Sequence, residues 1–102
     1  MFEIPQLLIP GVKLQKLTKH VSNKGRQYEY SQYFIYIPKD FESYVKDRKW
    51  LVTIIIDGKE FPIGIKTPSR HNNYFIITLP SDLDYYWEKK LYQKVDVHLQ
   101  RP

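Results

Sequence analysis

The residues best suited to chemistry are three histidines, His20, His71 and His98, and no two of them stand at metal-ligand spacing. The chain has no cysteine, so a closed zinc site would need carboxylates drawn in from elsewhere. His20 and His71 fall near two expected hairpin tips, where shared ligation of a metal is conceivable. His98 falls off the core-facing set of its strand and is expected to face solvent. Asp40 and Glu42, echoed by Asp82 and Asp84, tempt one toward a carboxylate pair, but their matching places at two expected helix starts explain them as caps. Four glycines form no phosphate-cradling loop, and no nucleophile elbow occurs. The expectation is therefore no catalytic residue, no metal site, no cofactor and no enzymatic activity.

Charge carries more information. The formal net charge of +5 equals the five cations Lys13, Lys16, Lys19, Lys24 and Arg26, which lie in a stretch without an acid. Such a basic hairpin suits nucleic-acid phosphates. It equally suits a solvated strand edge, where lysines discourage sheet-to-sheet aggregation. If all five met phosphates of duplex DNA, log K would fall with log salt at a slope of about −4.5.

Strands and helices must hold these residues. The segments "QYEYSQYFIYI" (Gln27 to Ile37) and "YFIITL" (Tyr74 to Leu79) are rich in aromatic and β-branched types and predict strands. Each runs into a proline, Pro38 or Pro80, which cannot donate to a ladder and suits a first helical turn. Short helices are expected next, from Phe41, Tyr44 and Val45 and from Leu83, Tyr86, Trp87 and Leu91 at helical spacing. Ser81 and Asp84 have the spacing of a capping box. Basic residues follow, Lys46, Arg48 and Lys49 or Lys89 and Lys90, and complement the carbonyl end of a helix dipole. "VTIII" and "VDVHL" predict closing strands. Asp57-Gly58 predicts a type I′ hairpin turn, and "SNKG" and "TPSRHNN" predict hairpin loops. In "VKLQKLTKHV" the residues Leu14, Leu17 and Val21 have helical spacing, and only the repeat described next argues for a strand.

The chain says nearly the same thing twice. At an offset of 42 residues Ile35 falls on Ile77, Ile37 on Leu79, Pro38 on Pro80, Asp40 on Asp82 and Tyr44 on Tyr86; after one inserted residue, Val52 to Ile56 falls on Val95 to Leu99. With 102 residues and 42% hydrophobic content there is material for one core. The expected architecture is a single α+β domain over 1–102. It is a tandem repeat of two β-hairpin/short-helix/strand units, 12–56 and 61–99, about a pseudo-twofold, with 1–11 as an N-terminal arm. That arm lacks a basic n-region and is interrupted by Pro5 and Pro10, and no stretch approaches the roughly 18 apolar residues of a membrane span. Leu7, Leu8 and Ile9 either cover part of the core or form a partner-binding strand.

Strand alternation then separates faces. Tyr33, Ile35 and Ile37, with Phe75, Ile77 and Leu79, form the core side. The other side carries Tyr28, Tyr30, Gln32, Phe34 and Tyr36, with Tyr74, Ile76 and Thr78, aromatic bodies with polar tips. The first functional expectation is a groove between the repeats that takes an extended peptide or protein segment by strand addition, with Tyr28, Tyr30, Tyr36 and Tyr74 supplying side-chain pockets. The alternative is DNA binding through Lys13, Lys16, Lys19, Lys24 and Arg26. The expected partner is thus a protein or peptide, or else nucleic acid, and not a membrane. The chain itself is expected to be an intracellular monomer with an internal pseudo-dimer, or a weak homodimer.

Two resemblances follow. "KGRQYEYSQYFIYIPKDF" and "VTIIIDGK" resemble the AbrB-type swapped-hairpin family through Gly25, Arg26, Ile37, Pro38, Lys39, Asp57 and Gly58. That likeness, over residues 24–59, implies a DNA-binding dimer. The cysteine-free, Tyr-, Ile- and Lys-rich style is similar to small orphan proteins of filamentous viruses of hyperthermophilic archaea. That second likeness implies a host-cytoplasm location and carries no activity.

Overall fold

The computed structural model describes residues 5–102, with Asn23 by its backbone alone. Residues 1–4 of the expected arm lie outside the described residues. Among the described residues seven strands form, β1 (Gln6–Asn23), β2 (Arg26–Tyr36), β3 (Trp50–Ile56), β4 (Lys59–Lys66), β5 (Ser69–His71), β6 (Tyr74–Thr78) and β7 (Lys94–Gln100). They make one sheet in the order β4-β3-β7-β1-β2-β6-β5, antiparallel throughout. With the short helices α1 (Glu42–Val45) and α2 (Asp84–Lys89) this is a small α+β domain.

Each helix is entered through a 3-10 turn that begins after Pro38 or Pro80. The prolines hold φ at −59° and −65°, and the turns close by backbone bonds, Phe41 N to Pro38 O at 2.9 Å and Leu83 N to Pro80 O at 3.4 Å. No side-chain cap bond is present at any of these starts, which corrects the capping roles expected for Asp40, Glu42, Ser81, Asp82 and Asp84. Pro38 and Pro80 take the N-cap positions themselves, and Asp40 and Asp82 fall inside the first turn. Lys89 does lie in the last turn of α2, as the dipole argument required.

The segment whose apolar residues have helical spacing is a strand. Leu14 faces Ile35 and is fully buried, while Leu17 and Val21 face Gln32 and Tyr28. At 18 residues β1 is long for a strand, and it serves two neighbours in turn. Gln6 to Lys13 pairs with β7, and Leu14 to Asn23 pairs with β2. A register shift between Ile9 and Val12 marks the change, where Gly11 has φ 67°, a conformation side chains resist. The arm expected over 1–11 is therefore, from Gln6 on, the first half of β1, with Ile9 fully buried and Leu7 packed against the core. "FPIGIK" in β4 behaves like "IPGVK" in β1: its ladder with β3 also shifts, beside Gly64 at φ 95°.

The outermost strands, β4 and β5, are consecutive and separated only by Thr67 and Pro68. Three Cα steps reach at most roughly 11 Å, so the two edges of the sheet lie close together and the sheet curls around its inner face. That face holds the core: Ile9, Leu14, Ile35, Ile37, Val52, Ile54, Ile56, Ile77, Val97 and Leu99, closed by Val45, Trp50 and Trp87. Each buried indole is satisfied, Trp50 Nε1 donating to Val45 O at 3.0 Å and Trp87 Nε1 to Pro80 O at 2.9 Å. In the β2–β6 pair Ile35 stands opposite Ile77, and in the β3–β7 pair Ile54 stands opposite Val97.

Turns follow the sequence closely. Lys24 and Gly25 have φ 52° and 77°, and Asp57 and Gly58 have 52° and 79°, the two positive values of type I′. "TPSRHNN" is less loop than expected, since Ser69–His71 forms β5 and only Asn72 and Asn73 remain to turn the chain. Among the described residues no helix is long and apolar enough to cross a membrane.

Truncating Ile35 to Ala is expected to cost about 2–5 kcal/mol, because it removes a fully buried branched side chain and leaves a cavity. Ile65→Ala, at a residue 57% exposed, should change stability by no more than about 0.5 kcal/mol. Urea unfolding curves of the two variants check the pair.

Candidate interaction site

Ten registered pairs join β1 to β2, from Leu14 and Ile35 out to Asn23 and Arg26. The second hairpin, β5 with β6, has three. On its other side β2 is covered by β6 only from Phe34 to Tyr36, so β1 and β2 run on as a two-stranded finger. From Thr18 to Tyr30 every described side chain is exposed, and the finger agrees with the long dimension of a body measuring 52 × 29 × 22 Å.

A two-stranded ribbon alone is marginal in water, and this one is clasped at its base. Lys16 Nζ donates to Glu88 Oε2 of α2 at 3.1 Å, and the Tyr33 hydroxyl donates to the same carboxylate oxygen. Burial, followed by that hydrogen bond and the negative charges of Glu88 and Asp84, pushes the Tyr33 phenol up to about 12. The bonds from Tyr33 and then Lys16 hold the Glu88 carboxyl below its usual range.

The finger has two unlike faces. Leu17, Lys19 and Val21 stand opposite Gln32, Tyr30 and Tyr28 on one face; Thr18, His20 and Ser22 stand opposite Ser31, Glu29 and Gln27 on the other. Tyr28 and Tyr30 are 50% and 48% exposed. Toward the body the same face continues into Phe34 and Tyr36, with ring centroids 5.1 Å apart, and Tyr36 lies 5.3 Å from Tyr74. His71 packs on Phe34 at 6.1 Å, and Lys39 Nζ sits 4.8 Å from the Tyr74 ring centre. All four expected tyrosines thus share one side of the sheet, two on the finger and two in contact on the body. Between β2 and β6, and between β3 and β7, the strands are hydrogen bonded; Tyr36 and Tyr74 lie over the outside of the first of these pairs.

Both edges of the finger are open beyond its base, since β7 pairs with β1 only as far as Lys13 and β6 pairs with β2 only from Phe34, and the β2 edge is the one on the tyrosine strand. The Tyr33 carbonyl accepts from Leu79 N at 2.8 Å, so the polar backbone groups of Tyr33 face the β6 side. By the strand period, those of Ser31, Glu29 and Gln27 face the same way, and no described strand lies beside them. Gln32 closes the near end of this lane, its Nε2 donating to Leu79 O at 3.0 Å and Tyr33 O at 3.2 Å.

The five expected cations do not form one patch. Lys19, Lys24 and Arg26 stand exposed on the finger; Lys16 is drawn to Glu88, and Lys13 is the last β1 residue paired with β7, opposite Lys94. The histidines are also separated. His20 Nδ1 approaches Glu29 Oε2 at 3.9 Å, His71 is on the tyrosine face, and His98 Nε2 meets Gln6 Oε1 at 3.3 Å. Among the described residues no three potential ligands gather for a metal ion. A shallow, mostly apolar depression of about 440 Å³ lies elsewhere, between Gln6, Leu7, Leu8, Ile55 and His98.

Sequence reasoning missed Leu17 and Val21 as parts of this site, and placed Gln32 on its face without the bonds to Leu79 and Tyr33. The turn at Lys24 and Gly25 carries the signal for Val21, because it fixes the register that puts Val21 across from Tyr28. Comparison of the chain with protein-family models, curated proteins and solved structures gave no match.

The clasp predicts two limbs of pH dependence. Glu88 is depressed from 4.5, so its contribution is complete above that pH and is lost as pH falls through the lower folded value. Tyr33 is raised from 10.0, so its contribution is complete below pH 10 and is lost as pH rises toward about 12. Thermal midpoints measured against pH should lose part of the acid limb in Glu88→Gln and part of the alkaline limb in Tyr33→Phe.

Proposed function

We propose that this chain is a non-enzymatic protein-interaction module that takes up an extended peptide or protein segment by strand addition along the open β2 edge of its finger. The observation that carries the reading is the conjunction of an unpaired strand edge with exposed tyrosines on the same strand. Main-chain hydrogen bonds from Gln27, Glu29 and Ser31 would supply affinity, and Tyr28 and Tyr30 would supply side-chain selectivity, with Tyr36 and Tyr74 extending the surface onto the body.

The same proposal takes the body as a tandem repeat, 12–56 and 61–99, about a pseudo-twofold. A twofold through an antiparallel pair sets the residue on its axis opposite its own equivalent and pairs the neighbours in swapped order, as Phe34 with Thr78 and Tyr36 with Ile76. Ile35 opposite Ile77 and Ile54 opposite Val97 fit that requirement. So does the exchange of bonds Ile37 N to Phe75 O and Leu79 N to Tyr33 O, both 2.8 Å. On this reading the finger is what the first unit has and the second lacks. Since none of its described tip residues is buried, the extension contributes little to the core, and a binding role accounts for it.

DNA binding is the second reading, favoured by the ribbon shape, which a major groove admits. With Lys16 tied to Glu88 and Lys13 away from the finger, three cations remain, and the slope of log K against log salt falls to about −2.7. Two experiments separate the readings. Selection of a random-peptide display library on the wild-type protein should yield sequences whose affinity drops about tenfold or more on a Tyr28→Ala/Tyr30→Ala variant. If selected peptides bind the variant equally, the finger is not the site. Anisotropy of labelled duplex DNA at about 50 and 200 mM salt should show weak binding; tight binding that collapses with salt, alongside an empty selection, would replace the peptide reading.

A further inference from the structure

Resting on the strand-addition reading, we infer that the segment received by the finger is acidic, with its carboxylates on the side that meets the tyrosines. Three lysines have carboxylate partners, Lys16 with Glu88, Lys39 with Glu42 and Lys90 with Asp57. The finger's Lys19, Lys24 and Arg26 have none among the described residues, and its single acid, Glu29, points from the other face beside His20. A strand laid along β2 alternates its side chains. Those on one face run beside Arg26, Tyr28 and Tyr30, with Lys19 across the ribbon, where carboxylates and apolar groups both find partners. Those on the other face run beside Gln27, Glu29 and Ser31, where a carboxylate would meet Glu29 and an uncharged residue would not. Charge complementarity therefore prescribes an alternating segment, acidic or apolar on one side and uncharged on the other.

A second copy of this chain fits less well. It would bring the same three cations, and the antiparallel register that sets Tyr28 across from Tyr30 also sets Glu29 across from Glu29.

Labelled synthetic peptides test the inference by anisotropy. One alternates glutamate with valine, a second alternates lysine with valine, and a third is the glutamate peptide with N-methylated backbone amides. The glutamate peptide should bind and weaken with salt, the lysine peptide should bind about tenfold or more weaker, and a Lys19→Glu/Arg26→Glu variant should reverse that order. Both substituted residues are exposed, and circular dichroism checks that the variant folds. Equal binding of the two charged peptides overturns the acidic preference; if uncharged display-selected peptides still depend on Tyr28 and Tyr30, strand addition survives that result. N-methylated peptide binding as tightly as its parent overturns strand addition itself. Duplex DNA binding with no response to either peptide overturns both.

Discussion

β1 makes its hydrogen bonds to two partners in succession, β7 through Gln6–Lys13 and β2 through Leu14–Asn23, and the exchange takes place at the bulge around Gly11. Without that exchange the pairs β3–β7 and β2–β6 would belong to separate sheets, each too small to cover its own apolar face. The inner surface of the curled sheet is apolar from Ile9 to Leu99, and residues of the two helices that follow Pro38 and Pro80, Val45 and Trp87, pack into it. Gly11 N also donates to Asp96 Oδ1 at 3.1 Å, which ties the bulge to the neighbouring strand.

β4 and β5 are the end strands of the sheet, joined through Thr67 and Pro68, and β3 and β7 have a strand on each side. The hairpin that outgrows its neighbours adds further open edge beyond the body. The charges on it also act as a safeguard, since Lys19, Lys24 and Arg26 discourage two fingers from pairing in the absence of an oppositely charged partner. The clasp of Lys16, Tyr33 and Glu88 explains how so exposed a ribbon keeps a fixed direction: it is bound to α2 where it leaves the body.

Much of this was legible in the residues. The period of two in Tyr28 to Tyr36 separated the faces correctly, the turn chemistry of Asp57-Gly58 located a hairpin, and the prolines located both helix starts. What stayed hidden depends on distant pairing. Pro10 and Gly11 read as an interruption because a bulge and a chain break leave the same local signature, and the difference lies in β7, more than 80 residues away. Lys16 looked equivalent to Lys19 until Glu88, from the far end of the chain, claimed it. The capping residues were misjudged because the N-cap position falls on the proline itself, one or more residues before them. At the candidate site the shared face of the tyrosines was legible; the open edge beside them was not, since whether a strand is covered is a property of the whole sheet.

The continuity of β1 from the body to the finger has a mechanical side. The strand lies against β7 at one end and β2 at the other, so a pull on the tip along the finger's axis acts parallel to both ladders. Their cross-strand bonds then share the load in shear, and no bond at an end is peeled open first. A segment zipped onto β2 would add its own ladder in the same direction. The attachment would be stiff along the finger.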